Sequence, residues 1–431
     1  VRAVDRPRPV TQPSPGRNTL AASPGNTGGM DRAGLVCQEI VSPLTPLRVA
    51  VVTETYPPEI NGVAMSTGRI VEGLAAAGHR VDLVRPRQGH EGGGILGGGD
   101  GVEEMLARGI PIPKYANLQL GLPAQKVLLR RWSLQRPDVV QVVTEGPLGW
   151  SALTAARKLK LPVISEFHTN FHRYTGHYGV GWLTKPIAAY LRKFHNRADL
   201  TLVPTRALCR ELAAQGIPRV DVVSRGVDTA LFDPARRSET LRRQWGLAPD
   251  DLAVMYVGRI SPEKNLALLE KAFAAIHARQ PRARLVLVGS GPAEAGLRAR
   301  QPRAIFAGPQ SGALLAEHYA CGDLFLFPSL TETYGNVVAE ALASGLPVVA
   351  YRDAAAHELV EHAVHGWLAE PGDESAFVAG AVTLAESPEL RADQRLAGRG
   401  RVEGLAWRSI VERLVALQRQ VILSAPISAR R

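Results

Sequence analysis

Residues 328–350 read PSLTETYGNVVAEALASGLPVVA and contain one complete strand-to-helix turn. An apolar strand ends, a polar loop follows, and Gly335 with Asn336 opens an apolar helix. The apolar strands DLFLFPS and PVVAY flank this turn at 323–329 and 347–351. A strand, a helix and a second strand in this order predict a βαβ unit, from which parallel sheets are built.

The same alternation runs through the chain in two passes. From residue 226 onward, further short apolar strands read DLAVMYVG, ARLVLVG and AIFAG. Before it, LRVAVVTE at 47–54 precedes the loop TYPPEINGV, a helix from Met65 and the strand RVDLVRP; DVVQVVT, PVISEFH and LTLVPT follow. The glycine-rich residues 90–101 predict a flexible loop. The sequence thus predicts an α/β fold of two doubly wound domains, with ligands at the carboxyl ends of the strands.

The composition divides the chain into four segments. Residues 1–46, rich in Pro, Gly, Ser and Arg, predict a disordered leader. The first methionine is Met30, which suggests the hypothesis that translation begins within this leader. The first domain is expected at 47–225 and the second at 226–405. Residues 406–431 predict a C-terminal helix and tail that return to the first domain.

The overall composition is that of a soluble globular protein, with 45% hydrophobic and 21% charged residues among 431. No apolar run long enough to cross a membrane is present, and the first residues lack the apolar segment of a signal peptide. Three scattered cysteines fit a reducing cytosol. The net charge of +11 fits phosphorylated substrates, anionic lipid or a simple arginine-rich surface. Nucleic acid is not an expected partner, because no aromatic-basic RNA motif and no zinc finger is present.

The helix that opens at Gly335 and Asn336 can bind an anion. Its first backbone N–H groups have no partner within the helix, and a glycine lets a ligand approach the backbone closely. Glu332 precedes this helix and Glu340 lies one to two turns inside it, so the two carboxylates can point to opposite ends of a ligand anchored there. In the alternative interpretation, Glu332 only complements the helix dipole and Glu340 is an exposed helix residue.

A second candidate anion site is VGRISPEKN at 257–265. A strand ends, Arg259 follows, and a Ser-Pro pair predicts the start of a helix. Lys264 then lies in the first helical turn, where a cation opposes the helix dipole unless an anion is bound nearby. Arg259 and Lys264 suit a diphosphate, although the pair could also be a surface accident.

These strings closely resemble the retaining glycosyltransferases of the GT-B architecture, two Rossmann-like domains facing each other across a cleft, and especially family four. The resemblance covers roughly residues 47–410. Glu332 and Glu340 match the family's signature of two glutamates separated by seven residues. The resemblance implies that Glu332 contacts the donor sugar and Glu340 the ribose of the nucleotide. It also implies that Arg259 and Lys264 neutralise the departing diphosphate.

The resemblance assigns roles in the first domain as well. Gly62 in ETYPPEINGVAMS would approach the donor phosphate or the acceptor, although many relatives have glycine where this chain has Asn61. His168 matches the family's donor-sugar histidine and is expected to face the cleft. The next loop shapes an acceptor site or simply caps the domain; its candidates are His172, Arg173, Tyr174 and His177. The remaining donor contacts implied by the resemblance are Gly258, Gly291, Thr333, Tyr334, Gly335, Asn336 and Val337.

Two further segments indicate the kind of reaction. FHTNFHRYTGHYG (167–179) and GIPIPKYANLQLGLP (109–123) resemble the branch that uses GDP-mannose or UDP-sugars to glycosylate membrane lipids. We therefore expect retaining transfer of a hexose, with mannose favoured, from a nucleoside diphosphate sugar to a lipid or glycan acceptor. No cofactor and no metal are expected, because no Asp-x-Asp triplet is present to hold a metal on the diphosphate. A sugar-nucleotide epimerase of the same architecture and a non-catalytic sugar-nucleotide-binding protein are the alternatives.

The segment 183–200, LTKPIAAYLRKFHNRADL, predicts an amphipathic helix because Ile187, Leu191 and Phe194 fall at helical spacing among basic residues. Two interpretations remain open. The apolar face packs in the core and leaves the charges in water, or this surface lies on anionic lipid. The second interpretation would place a cytoplasmic protein at the inner face of the cell membrane.

Overall fold

The computed structural model describes residues 45–425, except for 60, 89–93, 98–100, 113–114, 169–183 and 331. Almost all of the predicted leader and the end of the predicted tail therefore lie outside the described residues. All described helices and strands belong to one compact unit, Pro46–Arg431.

Ten strands are described in the first half of the chain: β1 Arg48–Val52, β2 Arg80–Pro86, β3 Gly94–Gly97, β4 Val102–Ala107, β5 Gly109–Ile112, β6 Tyr115–Gly121, β7 Val139–Val142, β8 Val163–Glu166, β9 Leu200–Val203 and β10 Val220–Val222. Eight form a sheet in the order β10-β9-β8-β7-β1-β2-β4-β3, parallel except for β3, while β5 and β6 form a hairpin. Along β1, Val49 and Val51 enter one buried cluster and Ala50 and Val52 another, as expected for a sheet covered on both faces.

Five helices accompany these strands: α1 Gly62–Ala76, α2 Gln125–Leu134, α3 Pro147–Lys158, α4 Thr184–His195 and α5 Arg206–Ala214. Together with the eight-stranded sheet they form what we call the first lobe. Two expectations here were wrong. The predicted loop 90–101 contains β3, which pairs with β4. The helix expected from Met65 begins at Gly62, because the Asn61 side chain accepts hydrogen bonds from Val63 N and Ala64 N and so caps it.

The second half of the chain forms a fully parallel six-stranded sheet, β13-β12-β11-β14-β15-β16, which with its helices is the second lobe. Its strands are β11 Ala253–Val257, β12 Arg284–Val288, β13 Ile305–Gly308, β14 Leu324–Phe327, β15 Val348–Tyr351 and β16 Gly366–Ala369. Its helices are α6 Glu239–Gln244, α7 Leu266–Arg279, α8 Glu294–Arg300, α9 Gly312–Ala320, α10 Asn336–Ala343, α11 Ala354–Leu359, α12 Glu374–Glu386 and α13 Pro388–Val402. Every strand predicted from the sequence is present, and the predicted fold class of two Rossmann-like α/β domains is confirmed.

The last described helix, α14 Trp407–Ser424, packs on α1 of the first lobe. A Cβ on Gly73 of α1 would lie 2.6 Å from Val411 Cγ2, so the two helices approach closely where glycine has no side chain. The chain therefore passes between the lobes twice, after β10 and before α14. The two crossings touch, because Val227 N donates to Leu405 O at 2.9 Å.

Candidate active site

The candidate site lies where the carboxyl edges of the two sheets meet. In the second lobe, β11 and β14 are neighbours, so the loops that follow them leave the sheet side by side. Asn265 Nδ2 donates to the backbone oxygen of Pro328 at 3.3 Å and joins the two loops. This adjacency brings together the two candidate anion sites, which are distant in the sequence.

The start of α10 has the geometry of an anion site. Gly335 precedes the helix with φ of +89°, a left-handed conformation that favours glycine. A Cβ at this position would also lie 3.3 Å from the ring of Phe327. No side chain caps α10 within the described part of the chain, and the positive end of the helix dipole lies at Asn336 and Val337. Their backbone N–H groups can therefore bind a phosphate.

Charged side chains surround this helix start. Lys264 Nζ donates to Glu332 Oε1, and these two side chains are only 14% and 17% exposed. Arg259 lies at the same edge with 40% of its side chain exposed, and its Nη1 is 3.8 Å from Glu263 Oε1. A diphosphate at α10 would lie beside the two predicted cations, which would bind it through charge-assisted hydrogen bonds.

The local structure around Lys264 differs from the prediction. The Ser-Pro pair opens only a 3₁₀ turn, Pro262–Lys264, and α7 begins later, after Asn265 with φ of +55°. Ser261 does not cap the turn, because its hydroxyl donates to Glu263 Oε1 at 2.6 Å. Lys264 therefore ends the turn and points to Glu332 instead of entering the first turn of the helix.

Glu340 lies one turn inside α10, and the Tyr319 hydroxyl donates to its Oε2 at 3.0 Å. Burial raises the pKa of Glu340 to about 7, although the hydrogen bond from Tyr319 acts in the opposite direction. This carboxyl can therefore change its ionisation near neutral pH when a hydroxyl-bearing ligand binds.

Three of the predicted donor contacts have structural roles that the sequence did not show. Tyr334 is buried and accepts a hydrogen bond from Ser224 Oγ at 3.2 Å, so only its backbone can reach a ligand. A Cβ on Gly291 would lie 2.3 Å from the backbone oxygen of Ile260, so this glycine lets two loops pack. A Cβ on Gly258 would lie 3.3 Å from a buried tyrosine hydroxyl.

The first lobe meets the start of α10 through its own first helix. A Cβ on Gly62 would lie 3.8 Å from Asn336 Nδ2, and that amide donates to Ser66 Oγ at 3.3 Å. Asn61, which replaces a glycine of many relatives, is occupied as the cap of α1 and also donates to Thr55 Oγ1. Gly62 thus lies in the first turn of a helix that faces α10.

His168 follows β8, but its ring is buried, with only 6% of the side chain exposed. The ring lies between Glu166, whose Oε2 is 2.7 Å from Nε2, and Arg225, whose Nη2 is 2.7 Å from Nδ1. Burial opposes ionisation of Glu166, yet contacts with His168 and Arg225 lower its pKa to about 2. The backbone oxygen of His168 accepts a hydrogen bond from Thr333 Oγ1 at 2.6 Å. Both ring nitrogens thus have partners within the protein, and the backbone oxygen of His168 meets the second lobe; the predicted contact between His168 and the donor sugar stays a prediction.

The acceptor side is described only in part. The candidates His172, Arg173, Tyr174 and His177 lie outside the described residues. Near the starts of α2 and α3, Trp150 and Tyr190 stack with ring centroids 5.6 Å apart. They border a cavity of about 360 Å³ whose lining is completed by Pro123, Gln125, Pro147 and Ser151.

The sequence did not single out Glu166, Arg225 or Glu54. The Glu54 carboxylate accepts a hydrogen bond from Leu148 N at the start of α3, and burial raises its pKa to about 7. The available signal was position: Glu166 ends a strand and Glu54 follows one, at the edge where ligands bind. Arg225 had no such signal, because it lies in the crossing between the lobes.

Comparison with known proteins agrees with this geometry. Residues 60–231 match the family model described as Glycosyltransferase Family 4, and residues 251–387 match Glycosyl transferases group 1. The chain is 36% identical over 374 residues to the GDP-mannose-dependent alpha-mannosyltransferase of Mycobacterium tuberculosis, covering 86% of this chain and 95% of that protein. It is 26% identical over 336 residues to the alpha-monoglucosyldiacylglycerol synthase of Streptococcus pneumoniae, covering 75% of each.

Solved structures show the same fold. Sucrose-phosphate synthase from Thermosynechococcus elongatus superposes with a TM-score of 0.71 at 20% identity, covering 88% of this chain and all of that one. HepE of Anabaena in complex with UDP superposes with a TM-score of 0.69 at 20% identity, covering 87% of this chain and all of that one. At these identities the likeness concerns the fold alone.

Proposed function

The chain belongs to glycosyltransferase family four, and from this premise we propose that it is a retaining, GDP-mannose-dependent mannosyltransferase. That it is a glycosyltransferase with the two-lobed GT-B fold follows from the relatives and the fold together. The choice of donor rests on one observation, the 36% identity to a GDP-mannose-dependent alpha-mannosyltransferase over nearly its whole length. The choice of reaction rests on the anion site at α10 and the cations beside it.

In the proposed reaction, the bond between the sugar C1 and the diphosphate oxygen breaks, and a bond from an acceptor hydroxyl to C1 forms on the same face. The acceptor proton passes to the departing phosphate oxygen, so no enzyme base is required. Negative charge then develops on the diphosphate. This charge is stabilised by Lys264, Arg259 and the backbone N–H groups at Asn336 and Val337. Such electrostatic stabilisation is usually the largest contribution to the rate enhancement.

The Lys264–Glu332 pair gives this site a specific binding step. The ammonium would turn to the diphosphate and the carboxylate to the hydroxyls of the donor sugar, so each charge exchanges one partner for another. Glu340, one turn further along α10, would accept the ribose hydroxyls. The nucleotide and the sugar would therefore be held by different carboxylates, as the resemblance to the family's two-glutamate motif implies.

We propose that no metal takes part. Support comes from the sequence, which has no Asp-x-Asp triplet, and from the cations beside α10, which can carry the charge compensation that a divalent ion gives elsewhere. Turnover in excess chelator should equal turnover in added Mg²⁺. A Mg²⁺-reversible loss would contradict the proposal.

The proposed acceptor is a membrane lipid or a glycan presented at the membrane. One relative is a synthase of a glucosyldiacylglycerol, and the Trp150–Tyr190 cavity offers an apolar, aromatic surface near the first lobe's carboxyl edge. No described helix is long and apolar enough to span a bilayer. Contact with lipid would therefore be peripheral, through the first lobe.

The deciding experiment offers the purified protein GDP-mannose, UDP-glucose and UDP-galactose in separate reactions with a membrane lipid extract. We expect product and released nucleotide only with GDP-mannose, and an α-linked product by its anomeric NMR coupling. Preference for a UDP-sugar would overturn the choice of donor. A β-linked product would overturn retention while leaving the glycosyltransferase assignment intact.

A further inference from the structure

The start of α1 is the counterpart, in the first lobe, of the candidate anion site at α10. A Cβ on Gly62 would lie 3.8 Å from Asn336 Nδ2, so the two helix starts face each other across the cleft. Unlike α10, α1 has a side-chain cap, because Asn61 Oδ1 accepts from Val63 N at 3.1 Å and from Ala64 N at 2.9 Å. These are two of the N–H groups with which a helix start binds a phosphate.

A chain of hydrogen bonds fixes the orientation of the Asn61 amide. Asn61 Nδ2 donates to Thr55 Oγ1 at 2.7 Å, and the Thr55 hydroxyl donates to Glu59 Oε2. If the amide were reversed, its NH₂ group would face the N–H groups of α1 and its oxygen would face the Thr55 oxygen. Donor would then meet donor and acceptor would meet acceptor. The amide oxygen of Asn61 is therefore committed to the start of α1.

Glu59 links this chain to two other segments of the first lobe. Its Oε1 accepts from Gln88 Nε2 at 3.1 Å, and its carboxyl group also accepts a hydrogen bond from the backbone of Gln119 in β6. Glu59 is only 8% exposed, and its Oε2 lies 3.5 Å from Asn61 Nδ2. A buried group with several partners resists displacement. An acidic group directly behind the cap also disfavours a second anion at this helix start.

Two arginines of this part of the first lobe are paired with carboxylates. Arg69, further along α1, pairs with Asp228 at 3.4 Å, and Arg85 of β2 pairs with Glu104 at 2.8 Å. The first turn of α1, residues 62–65, contains no charged residue. The start of α10, in contrast, has two cations beside it. The two facing helix starts therefore differ both in their caps and in their charges.

From this difference we infer that Asn61 is a specificity-determining residue: it withholds the start of α1 from phosphate and leaves phosphate recognition in the cleft to the start of α10. Among the first three N–H groups of α1, only that of Gly62 has no partner within the described part of the chain. The acceptor group that reacts beside α1 would then carry no phosphate next to its hydroxyl. This consequence for the acceptor rests on the proposed function, whereas the effect of Asn61 on anion binding does not.

The first test titrates inorganic pyrophosphate, which needs neither sugar nor acceptor, into the wild type and Asn61→Gly. The variant frees the N–H groups of Val63 and Ala64, and its fold should stay intact because glycine is tolerated at a helix cap. We expect Asn61→Gly to bind pyrophosphate about tenfold more tightly, as for a gained hydrogen bond to a charged group. Equal affinities in the wild type and Asn61→Gly would overturn the inference.

Asn61→Ser is the matched control. A serine hydroxyl still accepts from the N–H groups of a helix start, so this variant changes the loop but keeps α1 capped. It should bind pyrophosphate within about twofold of the wild type, and thermal unfolding should show that both variants fold. A gain in affinity as large as that of Asn61→Gly would show that a disturbed loop, not freed N–H groups, explains both variants, and the inference would fail.

The second test concerns the acceptor. GDP-mannose is offered to the wild type with two fractions of the same membrane extract, the phospholipids and the lipids without phosphate. We expect labelled product only in the fraction without phosphate. Transfer to a phospholipid would overturn the inference for the acceptor. If the wild type transfers no sugar from any donor, the proposed function fails, while the pyrophosphate titration still decides the role of Asn61.

Discussion

The two lobes build their halves of the site by different means. In the second lobe, Lys264, Glu332 and the start of α10 belong to two short loops that leave adjacent strands, and their groups meet directly. In the first lobe, His168 is held by Glu166 two residues away and by Arg225 far along the chain. Charged side chains of the second lobe thus lie at the cleft, whereas the charged side chains around His168 in the first lobe are buried.

This difference indicates a division of labour. Cations beside a helix start, such as Lys264 in its pair with Glu332 and the partly exposed Arg259, can exchange partners when an anion arrives, so the second lobe is suited to bind and stabilise a diphosphate. A buried, hydrogen-bonded cluster resists rearrangement, so the first lobe is suited to hold one geometry. Variants of the two halves should therefore fail in different ways.

The largest effect is expected from the cations of the second lobe. Lys264→Ala and Arg259→Ala should each lower kcat by roughly 100- to 1000-fold, because each removes a charged contact to the developing diphosphate. Circular dichroism should show an intact fold for both. Near-normal turnover in either variant would contradict the division of roles between the lobes, because that cation of the second lobe would then not stabilise the diphosphate.

The two glutamates of the second lobe should differ from each other. Glu340→Gln should weaken binding of free GDP about tenfold, as for loss of a hydrogen bond to a charged group, while Glu332→Gln should lower kcat and leave GDP binding nearly unchanged. Titration calorimetry and initial rates measure the two quantities. Equal loss of GDP affinity in both variants would show that the carboxylates do not divide nucleotide from sugar.

A smaller effect is expected on proton release when GDP binds, and it distinguishes the buried glutamates of the two lobes. Burial raises the pKa of both Glu340 and Glu54 to about 7. Ribose hydroxyls favour the ionised form, so GDP binding near pH 7 should release a fraction of a proton as the pKa of Glu340 falls. Calorimetry in buffers of different ionisation enthalpy measures this release. It should vanish in Glu340→Gln and persist in Glu54→Gln, because Glu54 lies in the first lobe, where it accepts a hydrogen bond from Leu148 N at the start of α3.

The raised pKa of Glu54 also makes the stability of the protein depend on pH. Glu54 stays protonated in the folded protein at pH values where the unfolded chain has ionised it. Its raised pKa therefore favours folding below about pH 4.5, and this contribution is lost as the pH rises to about 7. Denaturant unfolding of Glu54→Gln should lose less stability than the wild type across that window. An identical pH profile in the two proteins would contradict a pKa of Glu54 raised by burial.

The smallest effect concerns the outer face of the first lobe. The apolar face predicted for 183–200 packs in the core, with Leu191 2% and Phe194 0% exposed, while Lys185, Arg192 and Lys193 stay exposed. Peripheral docking would therefore be electrostatic, worth about 1 kcal/mol per cation. Arg192→Glu with Lys193→Glu should weaken binding to anionic vesicles at low salt.

The matched control reverses two exposed arginines of the second lobe, Arg243→Glu with Arg303→Glu, for the same change in net charge. If both double variants lose vesicle binding equally, the attraction belongs to the whole protein and not to one face. If the wild type ignores anionic vesicles, docking is excluded and a water-soluble acceptor is the better hypothesis.

How much the sequence could predict depended on distance along the chain. The strands and the opening of α10 at Gly335 were readable because each depends on a few consecutive residues. The start of α1 was misplaced because one side chain, Asn61, caps the helix earlier than the apolar pattern indicates. The helix predicted at Ser261 became a 3₁₀ turn because its hydroxyl binds Glu263 instead.

The sequence by itself determined two largely parallel sheets and predicted a candidate anion site at a helix start, because apolar periodicity and free backbone N–H groups are local properties. Only the tertiary structure decided what His168 does. Its partners come from β8, from the crossing at Arg225 and, through Gln141, from Gln418 of the last helix. Buried side chains form hydrogen bonds with the groups that packing brings beside them. Spacing along the sequence does not show which groups these are.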